Sequence, residues 1–222
     1  QQTYDVRKIA KILVDANSFL ELTSGFGKTI MTAFARIEGR PCGLLASDCQ
    51  SLGGALDSDG ASKAARFLNI CNVFKLPVVS LVDTPGFMVG PDSEKQGAVN
   101  HMTRLFVAGA KLEVPLACIF LRKGYGLGAM AMAGGSFKMP LYTASWPTGE
   151  FGAMGIEGAV KLGFKKELES VENTLSRESL FADLVKKMYD RGKASEAASF
   201  LEIDAVIDPS ETRFIIARAL NN

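Results

Sequence analysis

The sequence has little of the material from which metal, disulfide and nucleic-acid sites are built. Its four cysteines form no C-x-x-C pair and lie beside no paired histidines, so we expect neither a zinc site nor a disulfide framework. Lysine plus arginine total 25 against 24 for aspartate plus glutamate, and this balance gives no basic field that would concentrate nucleic acid. We therefore expect no metal in this domain, no nucleic-acid partner and a reducing, cytoplasm-like compartment.

Long apolar runs and a leader are also missing. No apolar run approaches the ~20 residues that a membrane-spanning helix needs, and the first residues, QQTYDVRK, do not resemble a signal peptide. We expect no membrane insertion. The chain does not begin with Met, which leads us to expect a processed or excised piece of a longer polypeptide. With 222 residues, 47% of them apolar, it can bury a large core as one domain.

The pattern that is present predicts an α/β fold with apolar strands buried under helices. We predict a first helix over residues 3–16 behind a Thr cap, a hairpin of TIMTAFARI and PCGLLAS, and a helix in SKAARFLNICNVF. Strands follow in PVVSLVD, VPLACIFL and KMPLYTASW. The other predicted elements are helices at 94–109, 128–134, 165–175, 177–190 and 194–200, a strand in IDAVID, and a final helix after Pro209. The Gly-rich segment PTGEFGAMGIEGAV is given neither helix nor strand.

Two fragments imitate nucleotide-binding motifs. SGFGKT ends as a P-loop does and DTPG follows a strand, but a P-loop also needs a glycine where the chain has Leu22, and no N-K-x-D segment is present. GYGLGA carries the G-x-G-x-x-A spacing in Gly126, Gly128 and Ala131. This loop lies past the middle of the chain, however, and Glu150 follows a turn-like segment, not a strand end. Neither a GTPase nor a dinucleotide-binding enzyme is favoured.

Side chains for acid–base or covalent catalysis are scarce. His101 is the only histidine and falls inside a predicted helix, where a packed or surface role is expected, and no serine lies in a G-x-S-x-G elbow. Small residues instead crowd two loops, 51–57 and 123–129, and each runs into a helix N-terminus. Unpaired backbone N–H groups there can stabilise an oxyanion that develops on a carbonyl. The alternative is that these glycines only permit close packing of helix and strand.

The loop KGYGLGA resembles the glycine loop of the crotonase superfamily. The wider string PVVSLVDTPGFMVG…HMTRLFVAGAKLEVPLACIFLRKGYGLGAMAM…ASWPTGEFGAMGIEGAV is similar to the C-terminal half of biotin-dependent acyl-CoA carboxyltransferases. These are subunits of propionyl-CoA and acetyl-CoA carboxylases and of sodium-pumping decarboxylases, and the flanks resemble the same family. The resemblance implies a crotonase-like ββα superhelix with additional C-terminal helices. Residues 1–222 would form the biotin-facing C-terminal domain, half of a longer two-domain protein.

The resemblance also implies a reaction. Carboxybiotin on a carrier protein gives its carboxyl group to the α-carbon of an acyl-CoA, and the released ureido nitrogen acts as base, which agrees with the scarcity of side-chain bases. The biotin-side oxyanion hole corresponds to the backbone N–H groups of Leu127 and Gly128, with Ala129 the next candidate if the register slips. Contacts to substrate or biotin are expected at Gly53, Gly54, Ala55, Gly86, Phe87, Tyr125, Gly126, Met130, Met154 and Gly155.

The chain departs from the family pattern at the loop itself. The family more often has adjacent glycines, whereas Leu127 separates Gly126 from Gly128 here, so the donor register stays open. Met130 occupies the position tied to acyl-chain length and is apolar, so no acyl preference is transferred. Glu150 falls where hydratases of the wider superfamily place a catalytic carboxylate, and in a carboxyltransferase we expect it to orient other groups.

The implied partners are an N-terminal carboxyltransferase domain, a biotin carboxyl carrier and a biotin carboxylase. Active sites in this family lie between the N-domain of one protomer and the C-domain of another, so we expect a homo-oligomer of the full-length protein. A cytoplasmic location is expected, or the mitochondrial matrix in a eukaryote. Three alternatives stay open: a subunit of a biotin-dependent decarboxylase, a non-catalytic module that docks the carrier, and a CoA-hydratase that uses Glu150.

Overall fold

The computed structural model describes residues 2–95 and 97–220. Within them, eight strands form one sheet. The strands are β1 (Leu20–Leu22), β2 (Ile30–Ile37), β3 (Arg40–Ser47), β4 (Val78–Thr84), β5 (Leu116–Tyr125), β6 (Tyr142–Ser145), β7 (Glu150–Gly152) and β8 (Ala205–Val206). The helices are α1 (Val6–Leu13), α2 (Ser58–Val73), α3 (Pro91–Lys95), α4 (Ala98–Ala110), α5 (Gly126–Met132), α6 (Ile156–Gly163), α7 (Lys165–Ser170), α8 (Thr174–Arg191), α9 (Ala194–Ser199) and α10 (Thr212–Ala219). Short 3₁₀ turns cover Leu52–Gly54 and Pro209–Glu211.

The sheet changes from antiparallel to parallel at β3. The strand order is β1-β2-β3-β4-β5-β6-β8, with β7 paired to β5 off this path. β1, β2 and β3 pair antiparallel, whereas all pairings from β3 onward are parallel. Because parallel strands end at the same edge, the loops that follow β3 and β4 and the start of α5 after β5 lie side by side.

Helices cover both faces of the sheet, which is why β4 and β5 carry continuous apolar runs. Every residue of β4 is buried. On one face α2, α4 and α5 contribute Phe67, Leu105 and Met132 to a core cluster, and on the other α1 and α10 contribute Val6 and Ile216. A smaller cluster packs α6, α7 and α8 around the Tyr125 ring. The C-terminal helices therefore pack against Tyr125, the residue that precedes α5.

Most predicted elements are present with shifted ends. α1 is shorter than the predicted 3–16, and its N-cap is Asp5, whose side chain accepts from the Arg7 N–H, so the predicted Thr cap was wrong. The helix predicted at 128–134 begins two residues earlier, at Gly126, and ends at Met132. The strand predicted in KMPLYTASW is limited to β6, and that in IDAVID to β8.

The clearest error of the sequence prediction concerns the Gly-rich segment PTGEFGAMGIEGAV, for which neither helix nor strand was predicted. This segment contains β7 and α6. β7 forms because it pairs with the far end of β5, and α6 forms because Ile156 and Val160 pack under α8. None of the helices among residues 2–95 and 97–220 combines the length and apolar character needed to cross a membrane.

Candidate functional site

The two glycine loops singled out from the sequence meet at the carboxyl edge of the sheet, and the loop after β4 lies between them. Leu56 and Phe87 form an isolated parallel bridge, in which the Leu56 N–H donates to the Gly86 carbonyl at 2.9 Å. Gly86 in turn lies against Gly128 of α5. The structure therefore brings together Leu56, Gly86 and Gly128, which are separated by 30 and 42 positions in the sequence.

At Gly128 the first turn of α5 lies directly against the loop after β4. A β-carbon at position 128 would lie 2.7 Å from the Gly86 carbonyl carbon and 2.9 Å from the Phe87 nitrogen, closer than side chains are found to pack. Gly126 is similar, with φ of +59° and a β-carbon that would lie 2.7 Å from the Ala153 carbonyl oxygen. Close packing thus explains both glycines, and it also holds the first turn of α5 against the neighbouring loop.

The backbone N–H groups at the start of α5 follow from its geometry. Tyr125 is the N-cap, in an extended conformation, and among the described residues no side chain caps this end. The Tyr125 carbonyl is the first acceptor within the helix, and it accepts from the N–H of Ala129. The three N–H groups before Ala129 therefore have no acceptor within the helix; they belong to Gly126, Leu127 and Gly128. Leu127 is 63% exposed, whereas Ala129 is fully buried.

Tyr125 and Glu150 are joined by a hydrogen bond beside the first turn of α5. The Tyr125 hydroxyl donates to Glu150 Oε2 at 2.9 Å, and the tyrosine ring is buried in the cluster formed by the C-terminal helices. Burial, together with the hydrogen bond to the carboxylate, raises the pKa of Tyr125 above its ordinary value. The phenol therefore remains a neutral donor, and its hydrogen bond joins Glu150 to the residue that caps α5.

Asp83, at the end of β4, is the centre of a charged network that sequence reasoning missed. Its carboxylate is fully buried and accepts from Arg122 Nη2 at 2.8 Å, from the Tyr4 hydroxyl at 2.8 Å and from the Lys123 N–H at 3.1 Å. Burial, with Asp83 as neighbour, raises the pKa of Tyr4. The available signal was an acidic residue ending one apolar strand and two basic residues ending the next, because buried charges need partners.

The remaining predicted residues surround this junction at different distances. Gly126 and Met130 line a cavity of about 310 Å³ with Phe137, Gly152 and Ala153 among its other walls. Gly53, through its carbonyl oxygen, accepts from Lys123 Nζ at 2.5 Å. The others are Gly54, which approaches the Asp83 carbonyl oxygen, Ala55, which is buried, Met154, which is 41% exposed, and Gly155, which is the N-cap of α6.

Several groups lie outside this junction. His101 is on α4, where its Nδ1 is 2.7 Å from Ser62 Oγ. Cavities of about 640 Å³ and 450 Å³ lie along α2, and no predicted site residue lines them. The four cysteines are free and buried, and burial raises the pKa of Cys42 and Cys71 to about 12. Over the described residues, no group of three His, Cys, Asp or Glu side chains could hold a metal ion.

Curated relatives resemble nearly the whole chain. A methylmalonyl-CoA carboxyltransferase 12S subunit from Propionibacterium freudenreichii subsp. shermanii is 35% identical over 98% of this chain and 41% of its own length. A propionyl-CoA carboxylase beta chain from Saccharopolyspora erythraea is 37% identical over 99% of this chain and 40% of its own length. The chain thus spans about 40% of the length of the curated relatives it matches.

Solved structures share its fold. A single-chain, multi-domain long-chain acyl-CoA carboxylase has 52% sequence identity and a TM-score of 0.89, over 98% of this chain and 21% of that chain. The transcarboxylase 12S structure has 34% identity and a TM-score of 0.92, over 100% of this chain and 42% of that chain. These likenesses confirm the expected crotonase-like fold. The family described as the carboxyl transferase domain matches residues 1–222, and the chain belongs to that family.

Proposed function

We propose that this chain is the biotin-facing domain of a biotin-dependent acyl-CoA carboxyltransferase. It supports transfer of a carboxyl group from carboxybiotin on a carrier protein to the α-carbon of an acyl-CoA. The observation that carries the proposal is the contact of Gly128 with Gly86, which places the first N–H groups of α5 beside the loop after β4. The chain that contains this contact belongs to a family of carboxyl transferases. The named relatives are themselves acyl-CoA carboxyltransferases and carboxylases.

Biotin, when bound, brings the carboxyl group to be transferred. The residues present suit its ureido oxygen, because uncharged N–H donors match an oxygen that gains negative charge only during the reaction. We assign these donors to Leu127 and Gly128. Ala129 is the weaker candidate, since its N–H lies in register with the Tyr125 carbonyl inside the helix. Donors of this kind typically contribute ~2.7–4 kcal/mol each to the transition state.

Other residues of the junction would position and enclose the reacting groups. Glu150 orients Tyr125 and so the start of α5, which gives this carboxylate a role other than acid–base chemistry. Met130 and Gly126 line the cavity beside the amides and supply an apolar wall. Contacts to biotin or acyl-CoA are assigned to loop residues on both sides of the junction: Gly53, Gly54, Ala55, Gly86, Phe87, Met154 and Gly155.

The curated relatives are longer than this chain, which spans about 40% of their length. We propose an N-terminal carboxyltransferase domain in the full-length protein, with a biotin carboxyl carrier and a biotin carboxylase as partners in a cytoplasmic homo-oligomer. The solved transcarboxylase 12S is described by its hexamer assembly and by substrate binding to a multienzyme core, which supports an oligomer. The alternative is a subunit of a biotin-dependent decarboxylase, which would use the same fold and biotin in the reverse direction.

The test uses the purified full-length protein. It is incubated with malonyl-CoA or methylmalonyl-CoA, and carboxyl transfer to free biotin is followed as biotin-dependent loss of the acyl-CoA carboxyl group. We expect transfer only when biotin is present. No transfer would contradict the proposal, carrier binding without transfer would indicate a docking module, and hydration of crotonyl-CoA that depends on Glu150 would indicate a hydratase.

A further inference from the structure

We propose that Lys123 is a positioning residue that ties the end of β5 to the loop after β3 and so sets where the first turn of α5 lies. The inference rests on the proposed function, because its value for the reaction is the placement of the Leu127 and Gly128 amides. It depends on one irregularity of the sheet and on two hydrogen bonds of Lys123.

The irregularity is a shift in the register of β4 and β5. Val82 pairs with Phe120 and Thr84 pairs with Gly124, so β4 advances from 82 to 84 while β5 advances from 120 to 124. The two extra residues of β5 form a bulge opposite Asp83, and bulged residues lose their ladder partners. The Asp83 carboxylate supplies a partner for one of them by accepting from the Lys123 N–H at 3.1 Å.

The Lys123 side chain makes the second tie. Its ammonium group donates to the Gly53 carbonyl oxygen at 2.5 Å and lies 3.8 Å from Asp83 Oδ1, and the side chain is only 12% exposed. Gly53 lies in a 3₁₀ turn where both Leu52 and Gly53 have positive φ, +49° and +63°. A left-handed conformation is costly for leucine, so this turn needs an outside contact, and Lys123 supplies one.

Charge balance does not require the Lys123 amine. Asp83 is already paired with Arg122 at 2.8 Å and accepts from the Tyr4 hydroxyl. Removing the amine leaves the main-chain bond of residue 123 to Asp83 in place. It breaks the hydrogen bond to Gly53 and removes the longer ion pair with Asp83, which keeps its closer partner Arg122. The fold should therefore survive a substitution that frees the loop after β3 from the start of α5.

The experiment compares Lys123→Met with wild type in the full-length protein. We expect kcat for carboxyl transfer to fall by about 10- to 100-fold, the scale expected when a group is misplaced by about 1 Å, with much less change in the acyl-CoA KM and in the melting temperature. Lys123→Arg, which keeps a cationic donor, should recover part of kcat. The matched control is Lys165→Met, because Lys165 is an exposed lysine of α7 paired with Glu169.

Amide hydrogen exchange supplies a readout that does not need activity. Exchange over residues 52–56 and 124–129 should be faster in Lys123→Met and unchanged in Lys165→Met. Unchanged exchange, or a lower melting temperature with unchanged kcat per folded molecule, would overturn the positioning role while leaving the proposed function intact. Absence of transfer in wild type would instead defeat the proposed function, and exchange would still decide whether Lys123 ties the loops. If Lys123→Met does not fold, Lys123→Gln makes the same comparison.

Discussion

Replacing Gly128 with alanine perturbs the close contact between α5 and the loop after β4. The new β-carbon would lie 2.7 Å from the Gly86 carbonyl carbon, and ordinary contact begins at 3.4 Å, so one backbone segment must move by about 0.7 Å, close to the ~1 Å misplacement that can cost ~10²-fold in rate. Loss of one oxyanion donor costs ~10²–10³-fold in kcat. We expect kcat to fall by ~10²-fold and stability by ~1–3 kcal/mol.

The assay is biotin-dependent carboxyl transfer by the full-length protein, with kcat expressed per mole of folded protein so that lost stability is not counted as lost chemistry. Gly163→Ala is the matched control, since a β-carbon at position 163 meets nothing within 4 Å. Alanine there should leave turnover intact and change stability by at most ~1 kcal/mol, in the favourable direction. A folded Gly128→Ala protein with the wild-type kcat would show that the position of the first turn of α5 does not limit carboxyl transfer.

Three further outcomes follow from the hydrogen bond of Glu150, the ion pair of Asp15 and the burial of the cysteines. Glu150→Gln should lower kcat less than tenfold, because an amide oxygen can still accept from Tyr125, whereas removal of a general acid or base costs ~10²–10⁴-fold; a larger loss would make Glu150 catalytic. Asp15 is paired with Arg213, which holds the pKa of this carboxyl below its ordinary value. Asp15→Asn should therefore lower the melting temperature near neutral pH, and the difference from wild type should shrink as the pH falls below about 3.9, the ordinary Asp value; a pH-independent difference would contradict this. Site-resolved alkylation in native buffer should spare the buried cysteines and reach all four after unfolding, and labelling of native protein would show that they are accessible; they are Cys42, Cys49, Cys71 and Cys118.

The central strands could be predicted from the sequence because strands buried on both faces consist of continuous apolar runs. β4 and β5 are covered on both faces, so their residues form apolar runs that need no knowledge of the partners. β7 and α6 contain no continuous apolar run of this kind. Gly152, Gly155 and Gly158 lower the intrinsic preference of that segment for regular structure, and the contacts that stabilise it come from β5 and α8, distant in sequence.

The candidate site was predictable in its backbone and not in its charges. Runs of small residues marked the loops at Gly54 and Gly126, because close approach of two backbones excludes side chains. The Asp83 network depends on Arg122, 39 residues away, and on a register shift that no periodicity shows. Charges at the ends of buried strands are the clue, but they do not identify their partners.

The assignment of the biotin-side donors to Leu127 and Gly128 is tested by a crystal structure of the full-length protein with the biotinylated carrier or a biotin analogue bound. We expect the ureido oxygen at ~2.7–3.1 Å from the backbone nitrogens of Leu127 and Gly128, the distance at which such donors act. A ureido oxygen that contacts neither nitrogen, or one held by side chains elsewhere on the sheet edge, would contradict it.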